Sequence, residues 1–307
     1  MKYSIVFPGQ GSQSIGMLSD LSSNFSIVSE IFQEASDALG VDLWKIAQED
    51  QEALNLTENT QPIMLASGYA TYKVLSNEVK LSPVCMAGHS LGEYTALVAS
   101  KSLNFFDAVK LVRRRAELMQ SAVPKGSGSM AAVLGLDDAK VIEICAQSSS
   151  YGVVEAVNFN SPGQVVIAGE KEAVIKACDE MKEAGAKRAL VLPVSVPSHC
   201  SLMTDAAEEF KTSVDTVNFQ LGNVRVIHNV DADYARDVEE IKSKLVEQLH
   251  KPVLWTSSVE KMKKTGVERL IEVGPGKVLA GLTRRIDKSL SGSAIIDVAT
   301  LKSTIEE

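Results

Sequence analysis

Hydrophobic and polar positions along the chain switch between two periods. Tyr3 to Phe7 is a short β-rich run that Pro8 stops, and the loop behind it is rich in Gly, Gln and Ser. Apolar residues then recur at helical spacing around Ser26 to Leu39 and Pro62 to Ser76. The apolar run Pro83-Val84-Cys85-Met86 leads into Ser90, and helical patterns resume over Gly92 to Ser100 and Phe106 to Ser121. Strands alternating with helices at these intervals predict a parallel sheet covered on both faces.

The pattern resets at "VPKGSGSM", Val123 to Met130, where Pro and Gly end the preceding helix. Strand "MAAVLGL", helix "DDAKVIEICAQS", strands "GVVEAVNF" and "GQVVIAG", helix "KEAVIKACDEMKEAG" and strand "KRALVLPV" follow. That βαββαβ order predicts a ferredoxin-like unit over roughly Gly126 to Val194. Beyond Pro197 come a helix at Leu202 to Val214, a strand "VRVIHNV", an amphipathic segment at Val238 to Leu249, and a strand, Gly-Pro-Gly turn and helix in "VERLIEVGPGKVLAGLTRRI". The expected fold is α/β: a large α/β-hydrolase-like parallel-sheet domain from residues 1–125 and 196–307, with a ferredoxin-like small domain inserted at 126–195.

Composition narrows the function. The 307 residues are 45% hydrophobic and 23% charged, with 31 basic against 39 acidic side chains and a net charge of −8. This balance argues against a broad phosphate-binding surface, so no nucleic-acid partner is expected. No stretch approaches the ~20 apolar residues of a membrane span, and "MKYSIVFPGQGSQ" lacks a signal-peptide core, so a cytoplasmic protein without a membrane partner is expected. Cys85, Cys145, Cys178 and Cys200 are scattered, and His89, His199, His228 and His250 show no ligand spacing; neither a disulfide framework nor a metal is expected. Gly274-Pro275-Gly276-Lys277 runs into Val278 where a phosphate loop needs Ser or Thr, which speaks against nucleotide binding.

Gly88-x-Ser90-x-Gly92 is the first candidate for chemistry. Glycines two residues either side let the chain turn sharply and leave the hydroxyl exposed at the start of the next helix, where free N–H groups suit an oxyanion. The alternative is a turn serine that caps its helix. A nucleophilic serine needs a base, and "VPSHC" places His199 where the inserted unit returns to the large domain, a position that borders clefts. A surface or core role for His199 is the competing reading; His89 is the rival base, although neighbours on an elbow point apart. On the helix from Phe106, Arg115 falls on the apolar stripe of Ala108, Leu111, Val112 and Met119, while Arg113 and Arg114 are expected to face solvent. An inward guanidinium needs an anion, either a protein carboxylate or a substrate carboxylate. The loop Phe7 to Gln13 stands at the mouth of the first strand, where its N–H groups could be a second oxyanion donor or merely part of a Gly-rich connection.

"FPGQGSQ", "GHSLGEY" around Ser90, "RRRAELMQ" around Arg115, "VNFNSPGQVVIAG" from Val157, "VSVPSHC" at His199 and "EVGPGKVLAGL" occur in order over nearly the whole chain. Together they resemble the malonyl-CoA:acyl carrier protein transacylases of bacterial fatty acid synthesis. The resemblance implies that Ser90 is malonylated from malonyl-CoA, that His199 activates it, and that the malonyl group then passes to the phosphopantetheine thiol of acyl carrier protein. It implies that Arg115 pairs with the malonyl carboxylate and that the N–H groups of Gln10 and Leu91 form the oxyanion hole. Gln248, in "VEQLHKPVLWT", matches the residue whose main-chain carbonyl orients the histidine in place of an acid side chain. Asn158 and Asn160 match positions near the cleft and are candidate binding residues. No cofactor of the enzyme's own is implied. Malonyl is expected over methylmalonyl, because "VPSH" is similar to the free-standing enzymes. Lys187-Arg188 and Arg284-Arg285 are candidate basic patches for an acidic carrier, or simply solvated surface.

Overall fold

The computed structural model describes residues 1–194 and 196–306. Among them nine strands form two sheets. Strands β1 (Tyr3–Phe7), β2 (Met86–Gly88), β7 (Val226–Ile227), β8 (Arg269–Val273) and β9 (Ser291–Ile295) make a parallel sheet in the order β7-β2-β1-β8-β9. Side chains alternate across it. Ile5, Phe7 and Met86 pack on one face with the helices Thr57–Glu78 and Phe105–Ser121, whereas Val6, Cys85 and Ala87 pack on the other with Trp255, Val259 and Leu279. Both faces being covered, the central strand is a continuous buried run, with Ile5, Val6 and Phe7 all at 0% exposure.

Strands β3 (Gly128–Leu134), β4 (Val154–Ser161), β5 (Gln164–Glu170) and β6 (Arg188–Val191) form an antiparallel sheet in the order β4-β5-β3-β6, the ferredoxin-like order. Helices Asp138–Ser148 and Lys171–Glu183 cover one face through Ile144, Val174 and Met181. The other face carries Met130, Val157, Val166 and Ala168 against Cys200 and Leu202. The edge strand β4 is tied to the large domain by backbone hydrogen bonds from Phe159 N–H to the Val253 carbonyl (3.0 Å) and from Val253 N–H to the Val157 carbonyl (2.8 Å). The expected inner boundary at Ser195 and the terminal Glu307 lie outside the described residues.

Three departures from expectation have physical causes. The helix expected from Pro62 begins at Thr57, with the proline inside it. Proline has no N–H for the Glu58 carbonyl, and Arg113 Nη1 donates to that oxygen instead at 3.2 Å. Arg113 therefore does not face open solvent: its side chain is 24% exposed, Nε bonds Glu117 at 2.8 Å and Nη1 also reaches Asn59 Oδ1 at 3.0 Å. Arg114, in contrast, is exposed and pairs with Glu209. The strand expected over "VRVIHNV" contracts to Val226–Ile227, because His228 and Asn229 turn inward to Glu93.

Candidate active site

The loops after β1 and β2 lie side by side at the carboxyl ends of adjacent parallel strands, where an open α/β sheet opens a crevice. Ser90 sits two residues after the end of β2 with φ of 51°, a left-handed conformation uncommon for a residue with a side chain. The flanking glycines serve close approach rather than unusual torsion. A Cβ on Gly88 would fall 1.8 Å from the Gly92 carbonyl carbon, and one on Gly92 would fall 2.1 Å from the Phe7 oxygen. Strand β1, the elbow and the helix Gly92–Ala99 are thus pressed together backbone to backbone.

Asn229 holds the strained turn. Its Oδ1 accepts from Ser90 N–H at 2.7 Å and its Nδ2 donates to the Gly88 carbonyl at 2.7 Å. Ser90 Oγ does not cap the helix; it meets His199 Nε2 at 2.7 Å. His199, itself at φ of 68°, places Nδ1 2.6 Å from the Gln248 carbonyl. A carbonyl only accepts, so Nδ1 carries the proton and Nε2 presents its lone pair to the serine hydroxyl. Burial, reinforced by the nearby Arg115 cation, pushes the His199 pKa down to about 3, so the ring is neutral at physiological pH.

Arg115 is 1% exposed. Nη2 donates to Ser90 Oγ at 3.2 Å and to Gln248 Oε1 at 2.9 Å, Nη1 donates to Gln61 Oε1 at 2.9 Å, and Nε has no partner. Its guanidinium also lies 5.5 Å from the centre of the Tyr94 ring. All its acceptors are uncharged, so among the described residues no carboxylate pairs with this buried cation directly.

These groups border a cavity of about 570 Å³ that also receives Gln10, Leu91, Asn158, Met119, Met130, Val166 and Val194. The expected residues Ser90, His199, Arg115, Gln10, Leu91 and Asn158 therefore share one space, with Gln248 beneath it. Asn158 keeps a buried Oδ1 without a partner. Asn160 is not among the lining; its Oδ1 bonds His89 Nε2 at 2.8 Å. That bond, with Trp255 5.7 Å away ring to ring, holds the rival histidine away from Ser90 Oγ.

Sequence reading missed Gln61, Glu93, His228 and Asn229. The one available signal was Glu93, a lone carboxylate in a helix whose every residue is buried. The fold, with a serine and a histidine meeting at its cavity, is that of an acyl-transfer enzyme. The chain belongs to the acyl transferase domain family, whose profile matches residues 4–303. It is 51% identical over 307 residues to the malonyl CoA-acyl carrier protein transacylase of Salmonella typhimurium, covering 100% of this chain and 99% of that one. To the protein of the same name from Haemophilus influenzae it is 52% identical, covering 99% and 98%. Among solved structures, an acyl carrier protein S-malonyltransferase from Vibrio cholerae matches with a TM-score of 0.96 at 51% identity, covering 99% of this chain and 100% of that one. A malonyl-transacylase solved in complex with its type II polyketide acyl-carrier protein matches with a TM-score of 0.98 at 48% identity, covering 100% and 99%.

Proposed function

We propose that the protein transfers a malonyl group from malonyl-CoA to the phosphopantetheine thiol of acyl carrier protein through a malonyl-serine intermediate. The observation that carries the reading is Arg115: a buried guanidinium with neutral partners, one free N–H and Nη2 3.2 Å from the nucleophile's oxygen. A substrate carboxylate beside the acyl carbonyl answers that charge, and an acetyl or longer neutral chain does not.

His199 Nε2 takes the Oγ proton as Ser90 attacks the thioester carbonyl. The oxyanion is received by the N–H groups of Gln10 and Leu91; Ser90 N–H is already committed to Asn229. Collapse breaks the C–S bond, and His199 returns its proton to the departing CoA thiolate. In the second half the carrier's thiol gives its proton to His199 and attacks the malonyl ester; the C–O bond breaks and Ser90 recovers the proton. The histidine alternates between neutral base and cationic acid, with the Gln248 carbonyl fixing Nδ1–H in both. No cofactor of the protein's own enters either half. The apolar wall of Met119, Met130, Val166 and Val194 limits water at the ester. No helix among the described residues is long and apolar enough to cross a membrane, and the four cysteines are free and buried, which supports a cytoplasmic location.

Intact mass after brief incubation with malonyl-CoA and acid quench tests the reading. A malonyl adduct is expected on the parent and not on Ser90→Ala. Consumption of malonyl-CoA without an adduct would instead indicate a hydrolase, and an adduct on Ser90→Ala would displace Ser90 as the nucleophile.

A further inference from the structure

Glu93 is a carboxylate at 0% exposure, three residues past the nucleophile. Three donors surround it: His228 Nδ1 at 2.8 Å on Oε1, and Asn229 N–H and Gln248 Nε2, both at 2.9 Å, on Oε2. None of them carries the fixed positive charge a buried carboxylate ordinarily meets. Burial lowers the Arg115 pKa, Glu93 is near enough to oppose that effect, and the Gln248 carboxamide stands between the two. Its Nε2 donates to Glu93 Oε2 and to the Ser90 carbonyl at 3.0 Å, which turns its Oε1 toward Arg115 Nη2 at 2.9 Å. An amide has donors at one end and an acceptor at the other, so a carboxylate on one side dictates which end faces the guanidinium.

We infer that Glu93 is a positioning residue for substrate selection: through the Gln248 amide it aims Arg115 at the place where the substrate carboxylate binds. The inference rests on the malonyl-transfer reading. The charges at the buried site are arranged as carboxylate, amide dipole, guanidinium and then, when substrate arrives, the malonyl carboxylate. Glu93 offsets the cost of keeping Arg115 buried without a direct ion pair, and it does so from behind an amide, leaving the cavity side of the guanidinium open. A carboxylate in direct contact would compete with substrate. His228 is poised to tolerate loss of the charge. With glutamine at 93, its Nδ1 can accept from the new NH2 group by changing tautomer, while the remaining oxygen still accepts from Asn229 and Gln248.

The test compares Glu93→Gln with the parent in the rate of acyl-serine formation from malonyl-CoA and from acetyl-CoA, by quenched intact mass. If Glu93 acts through Arg115, malonylation falls by roughly tenfold or more while acetylation changes little, since losing one charge-assisted contact is an effect of that order. In an Arg115→Ala background, Glu93→Gln then has little further effect on malonylation, as expected of two residues in one chain of contacts. Equal loss with both donors, or full additivity with Arg115→Ala, overturns the inference and leaves Glu93 as general support of the elbow. Should Glu93→Gln not accumulate as folded protein, Glu93→Asp, which keeps the charge but shortens its reach to the Gln248 amide, is compared in the same two rates; a malonyl-selective loss would support the inference and a donor-independent loss would overturn it. A parent enzyme that forms no malonyl adduct overturns the functional reading itself, and the inference with it.

Discussion

Arg115 Nη2 donates to Ser90 Oγ at 3.2 Å while His199 Nε2 faces the same oxygen at 2.7 Å. With an N–H from the arginine side, the hydroxyl proton has one acceptor left to point at, the neutral histidine. The specificity cation is thus also part of the nucleophile's own setting. Arg115→Lys keeps a charge but forfeits the planar fork that reaches Gln61, Gln248 and Ser90 together. Malonylation should fall by roughly 100-fold, and the ratio of acetyl to malonyl transfer should rise. Parallel adduct rates from the two donors check this; an unchanged ratio would remove Arg115 from selection.

Periodicity made the main frame legible. Tyr3–Phe7 and Ser26–Leu39 begin and end where their patterns do, and the βαββαβ order of the second sheet follows from strand and helix signals alone. The short helices Ser19–Asn24 and Gln51–Leu54 are too brief to show a period, and β9, "SGSAI", is a small-residue edge strand with only Ile295 at 0% exposure. At the site, Ser90, His199 and Arg115 were readable because each breaks a local pattern in a way tied to its chemistry. Asn229 was not, because it sits in what reads as a strand and its partners, Ser90 and Gly88, lie 139 and 141 positions away. Gln61 was hidden by Pro62, which suggested a helix start where there is a helix interior.

Asn229 makes a prediction distinct from that for Arg115. Its removal in Asn229→Ala leaves Ser90 N–H and the Gly88 carbonyl unmet in a strained turn, so the elbow loosens for every acyl donor. Both malonylation and acetylation should drop together by roughly 10- to 100-fold, and stability should fall by about 1–3 kcal/mol. Denaturant titration alongside adduct rates would show this; a malonyl-selective loss would be the contrary result.

The elbow glycines differ from a helical glycine exposed elsewhere. In Gly92→Ala the new methyl would meet the Phe7 oxygen at 2.1 Å and the Pro8 oxygen at 2.8 Å, both backbone atoms with little freedom to yield. A loss of more than about 3 kcal/mol is expected. Gly281, inside the helix Val278–Ile286, has nothing within 4 Å of the place a Cβ would occupy, so Gly281→Ala should stabilise by about 0.5–1 kcal/mol. Midpoints of chemical unfolding for the two variants should therefore move in opposite directions; movement in the same direction would contradict the close-approach account of the motif.

Glu272 carries a pH dependence of its own. It lies on β8 at 0% exposure, with Oε2 accepting from Ala280 N–H at 2.8 Å in the first turn of the helix Val278–Ile286 and Oε1 without a partner. Burial pushes its carboxyl up to about 7 from an ordinary 4.5, against the opposing pull of the N–H groups of Ala280, Leu279 and Val278. The native protein then keeps a proton that the unfolded chain has released, and linkage makes stability decline as pH rises through that interval. Below it the contribution is complete; above it roughly 3 kcal/mol is lost. Glu272→Gln imitates the protonated acid at every pH, so it should match the parent near pH ~4 and exceed it at pH ~8. His199, whose pKa is lowered by burial, works in the opposite sense, since the unfolded chain binds its proton first as pH falls below 6.5. Because that contribution is common to both proteins, the difference between parent and Glu272→Gln isolates the carboxyl. Unfolding midpoints that stay parallel across the range would mean that Glu272 is ionised in the native state throughout, and that the helix N–H groups outweigh its burial.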